Sequence, residues 1–152
     1  MSIDQTIERT ALSQLVSNEE YARKVLPHMK GDYFSDRTEK TIFEEIAKFV
    51  DKYKKIPTQT SLEIEVQSRK DLTELDYKKV VEVIKTLKST DVDFDWLCDT
   101  TEKFCKDKAV YNAIVEGIQI IDGKDKNRGP DAIPSILSDA LAVGFDNRVG
   151  HD

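Results

Sequence analysis

Between Asp95 and Asp122 the chain holds no proline and a single glycine, Gly117. At 1.5 Å per residue such a segment makes one helix roughly 40 Å long, far above the globular average. Leu97, Phe104, Tyr111 and Ile118 recur every seven residues along it, and Ile114 and Ile121 add the second position of a heptad seam. Beside this seam runs a line of smaller residues, Cys98, Cys105, Ala109 and Ala113. A loop with Gly123, Gly129 and Pro130 follows, and Asp131 is read as the cap of a return helix bearing Ile133, Ile136, Leu137, Ala140, Leu141 and Phe145. Pro134 is tolerated there because it falls in the first turn. One short return helix cannot cover both lines of the long one. Either the rest of the chain folds back over the seam, or part of it meets another subunit; the second is the expectation.

The preceding residues read as a compact set of helices. Ile3, Ile7, Ala11, Leu12 and Leu15 mark a first helix by their three- and four-residue steps. Ser17 with Glu20 suggests a capping box opening a second, with Tyr21, Ala22, Val25 and Leu26 inward. Gly31 interrupts the chain, and Tyr33 and Phe34 supply an aromatic plug. Ser35 or Asp36, the latter with Glu39, starts a third helix whose core face is Ile42, Phe43, Ile46, Phe49, Val50 and Tyr53. Thr60 with Glu63, and Asp71 with Glu74, suggest two more starts, the latter leading to Tyr77, Val80, Val81, Ile84 and Leu87. No strand alternation stands out. The fold class is all-α: a helical core over residues 1–90, then a hairpin over 91–145. Within the hairpin the long helix covers about 95–122, the loop 123–130 and the return helix about 131–145, with 146–152 beginning a linker.

Composition narrows the function. At 39% apolar and 34% charged, the 152 residues are those of a charge-rich folded domain. No apolar run is long enough to span a membrane. The N-terminus lacks a signal peptide's basic start and apolar stretch, so a cytoplasmic protein is expected. Residues 1–90 carry 16 acidic and 16 basic side chains, so the net charge of −6 lies entirely in the rest. An acidic surface is a poor dock for a phosphate backbone. Cys98 and Cys105 are seven apart, about 10 Å along a helix and too far for a disulfide, and neither pairs with His28 or His151 at zinc spacing.

Two motifs invite a functional reading and fail it. Asp91, Asp93, Asp95, Asp99 and Glu102 stand at EF-hand spacings, but the position that demands glycine is Trp96. These acids are better read as the cap and first turn of the long helix, where negative charge suits the dipole. GKDKNRG, residues 123–129, lacks a Walker ending and follows no strand. Its Lys124, Lys126 and Arg128 form a basic tip that could touch DNA or an acidic partner. With two histidines, no GxSxG and no base beside a nucleophile, no catalytic constellation is present; adjacent pairs such as Glu19–Glu20 and Glu44–Glu45 read as solvated surface.

The order of elements, and the placing of Tyr21, Lys24-Val25, Met29, Tyr33-Phe34, Phe43, Ile46, Tyr53, Pro57, Trp96-Leu97, Thr101-Glu102-Lys103, Asn112-Ala113, Ala132-Ile133-Pro134, Ala140-Leu141, Phe145-Asp146 and Val149-Gly150-His151-Asp152, resembles the N-terminal domain of DnaB-family replicative DNA helicases. The match looks nearest to the helicases of T-even-type bacteriophages. The resemblance implies a RecA-like motor outside these residues, with ATP and magnesium belonging to it and no cofactor here. It implies a collar whose hairpins pair, three pairs to a hexamer, and which docks primase and a helicase loader. Single-stranded DNA would be met weakly or through the whole hexamer, in the host cytoplasm if phage-encoded. Interface candidates are Phe104, Tyr111, Ile114, Ile118, Ile121, Ile136, Leu137, Ala140 and Leu141. Two rivals remain: the helicase-binding domain of a primase, normally at the end of a longer chain whereas Met1 opens this one, and a small acidic phage adaptor or inhibitor.

Overall fold

A computed structural model describes residues 3–144, and among them all regular structure is helical. The α-helices are α1 (Ile3–Leu15), α2 (Glu19–Val25), α3 (Arg37–Tyr53), α4 (Gln59–Gln67), α5 (Glu74–Thr86), α6 (Phe94–Ile121) and α7 (Ile133–Leu141). Short 3₁₀ turns stand at Leu26–His28, Gly31–Tyr33 and Pro130–Ala132.

The helix starts show how local chemistry selects among neighbouring candidates. Ser17 turns its hydroxyl back onto the Ser13 carbonyl, so Asn18 caps α2, its Oδ1 accepting from the Tyr21 N–H at 3.0 Å. At α4 the capping box is Thr58 with Ser61, right after Pro57, and not Thr60 with Glu63. At α5 it is Thr73 with Asp76, because the Asp71 carboxylate is taken by Arg69. Asp36 caps α3 through the Thr38 N–H, while Glu39 is buried and paired with Arg9 instead of returning to the cap. Asp131 sits in the 3₁₀ turn before α7, whose N-cap is Ala132 with no side-chain bond. Both ends of the return helix are therefore shorter than the sequence pattern suggests, and its expected Phe145 and the linker 146–152 lie outside the described residues. At the other end of α3, Lys54 takes a left-handed conformation (φ 60°) and its N–H closes on the Val50 carbonyl.

α3 is the central element, packed on α1, α4 and α5. Ile42, Phe43 and Ile46 meet Leu12, Leu15, Leu62, Val66, Val80 and Ile84 in one core. Phe34 stacks on Phe43 with centroids 5.0 Å apart and meets Phe104 edge-on at 6.0 Å. Phe104 therefore belongs to the core, as do Leu97, Cys98, Thr101 and Cys105. The first half of α6 completes the core against α1 and α2, and its second half goes on into the hairpin with α7.

Buried polar groups lock this joint. Tyr21 donates its hydroxyl to Thr101 Oγ1 at 2.7 Å, because Thr101 already donates to the Leu97 carbonyl at 2.8 Å. Burial pushes the Tyr21 phenol well above its ordinary range. Glu45, expected on the solvated face of α3, is buried, and Arg69 Nη1 donates to it at 2.9 Å while the same guanidinium grips Asp71. One arginine thus pins the α4–α5 connection to α3. Gln59 closes the far end of α5 by donating to the Ile84 and Leu87 carbonyls.

Candidate assembly surface

Beyond Lys108 the long helix shows two faces. At 100° per residue, Ala109, Ala113, Gly117 and Ile120 share one side, and all are buried. They face the hairpin interior, where α7 packs closely: a Cβ added at Gly117 would lie 3.6 Å from Ile133 Cγ2. Small residues here let the return helix approach the α6 backbone. The large residues of the heptad seam are left about a third of a turn away, on the side α7 does not reach.

Tyr111, Ile114, Ile118 and Ile121 are consequently exposed, at 62%, 50%, 52% and 68%. They form a continuous stripe along the outer half of the hairpin. Val115, a residue the heptad pattern passes over, borders it at 36% exposure, and Leu141 on the return helix is exposed as well. Lys108 lies across the Phe104 and Tyr111 rings at 5.9 and 6.0 Å and closes the stripe toward the core. The nine residues anticipated from the sequence therefore separate. Phe104 and Ala140 are sealed inside this chain, Ile136 and Leu137 are half-buried against its core, and Tyr111, Ile114, Ile118, Ile121 and Leu141 face outward.

The basic tip is only partly basic in effect. Arg128 bridges Glu116 at 2.6 Å and Asp125 at 2.7 Å. The Asn127 backbone N–H and the Arg128 side chain hold the Asp125 carboxyl below its usual range. The loop is thus folded by its own charges, with Lys124 and Lys126 exposed on it. The Asp93 side chain accepts from the Trp96 N–H at 2.9 Å, so the acidic run 91–102 does cap a helix. No group of histidines, cysteines and acids able to hold a metal ion occurs among the described residues, and no helix there is long and apolar enough to cross a membrane. Cys98 and Cys105 are buried and unbridged; burial raises both thiols, Cys105 up to about 12.

The described residues thus form an all-helical core that carries a hairpin with one covered and one open apolar face. The family follows from comparison with known proteins. The profile of the DnaB-like helicase N terminal domain matches residues 1–98, and the chain belongs to that family. It is also 33% identical over 149 residues to a DnaB-like replicative helicase of Enterobacteria phage T4, an alignment covering 93% of this chain and 31% of that relative. The chain spans less than a third of the relative's length.

Proposed function

We propose that this chain is the collar of a phage replicative helicase, which holds subunits together through its hairpin and offers docking surfaces to primase and a helicase loader. The observation that carries this reading is the exposed stripe Tyr111, Ile114, Ile118 and Ile121, backed by a return helix that cannot cover it. Water contact with four large side chains in a row is costly, and a second hairpin removes it. Nucleotide hydrolysis, with its ATP and magnesium, belongs in this reading to a motor that follows the collar in the whole protein. Assembly into a hexamer as three pairs, and the handling of single-stranded DNA, are likewise properties of that whole protein.

The test is the association state of the chain. Ile118 is 52% exposed, so burying it in a pair supplies roughly half of the ~1.5–3 kcal/mol of a fully buried isoleucine, and it does so twice per pair. Ile118→Asp removes both contributions and places two carboxylates in the seam, so association should weaken by about a hundredfold or more. Sedimentation velocity from low to high micromolar concentration reads this directly. A wild-type chain that stays monomeric throughout, indistinguishable from Ile118→Asp, overturns the proposal.

A further inference from the structure

Among the described residues, three buried side-chain oxygens have no hydrogen-bond partner: Glu8 Oε1, Glu39 Oε1 and Glu45 Oε1. Glu45 Oε1 has the Lys48 ammonium 4.0 Å away. The other two belong to the junction of α1 with the start of α3. Glu8, on α1, reaches Ser35, which donates to its Oε2 from Oγ at 2.7 Å and from the backbone N–H at 3.3 Å. Arg9, the next residue on α1, donates from Nε to Oε2 of Glu39 in the first turn of α3. Both carboxyl groups are 0% exposed, and each has one oxygen satisfied and one left over.

Two ionised carboxylates against the single Arg9 guanidinium would leave an uncompensated negative charge in the interior, and a buried group in that position neutralises instead. Ionised partners on the neighbouring elements are committed elsewhere. Of those packed on α3, Arg69 beyond α4 holds Glu45 and Asp71, Asp76 of α5 pairs with Arg37, and Asp32 of the Gly31–Tyr33 turn pairs with Lys40. Beside α1, Arg23 of α2 pairs with Glu19, and Lys103 of α6 with Asp107. Burial raises the Glu39 carboxyl above its ordinary range; Arg9 opposes, and the charges of Asp36 and Glu8 add to the rise.

We propose that Glu8 and Glu39 share one proton, carried on Glu39 Oε1 and donated to Glu8 Oε1, and that this proton ties α1 to the start of α3. Glu39 is then a neutral acid whose other oxygen still accepts from Arg9. Glu8 is a carboxylate that accepts from Ser35 and from Glu39. All four oxygens are satisfied, and one negative charge stands against one positive. The tie is sensitive to pH. From the ordinary glutamate value up to the raised one, the native chain holds a proton that the unfolded chain has lost. The folding constant therefore falls by up to about tenfold per pH unit over that range, and the fall ends where the native chain releases the proton.

Infrared spectroscopy of the chain labelled with carboxyl-carbon-13 glutamate tests this. At about pH 7, well above the ordinary glutamate value, the wild type should show the carbonyl stretch of one protonated glutamic acid. The band should vanish in Glu39→Gln. It should vanish equally in Glu8→Gln, because Glu39 alone opposite Arg9 ionises and accepts from the new amide. Both variants keep a donor between the two free oxygens, so both should fold, which circular dichroism checks. A wild-type spectrum without the band overturns the proposal, and that measurement needs no variant. A band that survives in Glu8→Gln overturns the sharing, since burial of Glu39 alone would then hold the proton. A band that survives in Glu39→Gln overturns the placing of the proton on Glu39.

Discussion

Gly117 is the one glycine in the 28 residues of α6, and its replacement measures the packing of the hairpin. A glycine inside a helix costs about 0.5–1 kcal/mol relative to alanine, through the greater freedom of the unfolded chain. Alanine's methyl group would meet Ile133 Cγ2 at 3.6 Å, with the next Ile133 carbons at 3.9 Å, which is ordinary contact. Nothing has to move, so Gly117→Ala should stabilise the domain by about 0.5–1 kcal/mol and raise Tm by about 1–4 °C for a chain of this size. Gly117→Leu adds three further carbons aimed at the same isoleucine, and overpacking of that kind costs about 1–3 kcal/mol. Because the position lies on the covered face, the alanine variant should associate like the wild type. Urea denaturation followed by helical circular dichroism, with sedimentation alongside, gives both readouts. Destabilisation by alanine, or equal tolerance of alanine and leucine, would mean that α7 does not pack on Gly117 as described.

Four other outcomes follow from the charged pairs and the buried groups. Arg69→Met leaves the buried Glu45 with only the long contact to Lys48 and should cost about 3 kcal/mol, much of it recovered in the double variant with Glu45→Met; a double-mutant cycle in urea checks this. Burial holds the Glu39 carboxyl above its usual range, with Arg9 opposing. Its contribution is therefore complete below the ordinary carboxylate value and lost as pH rises through the raised one, so Glu39→Gln should flatten the decline in stability above about pH 4.5. Asp71 runs the other way: Arg69 holds it down at about 2, so its contribution is present above the ordinary value and lost as pH falls toward 2, and Asp71→Asn should remove that acid limb alone. Denaturation midpoints across pH 2 to 8 separate the two, and slopes unchanged in the variants would refute the assignments. Finally, Cys98 and Cys105 should resist a thiol reagent at pH 8 in the native chain and both react in guanidinium; rapid native labelling would contradict their burial.

Much of this domain is legible in its sequence because helices advertise themselves through nearest neighbours. The three- and four-residue spacing of Leu12 and Leu15, or of Ile42, Phe43 and Ile46, specifies both a helix and its buried side. The unbroken run to Asp122 makes α6 evident, and the excess of large apolar residues over anything α7 could cover makes assembly its reasonable use. The cap positions were less legible. Several Ser, Thr, Asn and Asp residues compete within a few positions, and the winner depends on partners far away, as when Arg69 occupies Asp71 and leaves Thr73 to cap α5.

What only the tertiary structure decided is which apolar residues are spent inside the chain. Phe104 and Tyr111 hold equivalent heptad positions, yet Phe104 is buried against Phe34 while Tyr111 is open to water. Periodicity along one helix carries no information on where the neighbouring helices end, and that is what separates them. Glu45 shows the same limit from the polar side: only the approach of Arg69, 24 residues on, turns a surface acid into a buried one. The sequence by itself determined a long amphipathic helix with more apolar surface than one return helix can hide. The packing of α1, α2 and the Gly31–Tyr33 turn against its first half, and of α7 against its small-residue face, decided that the surplus is the stripe from Tyr111 to Ile121.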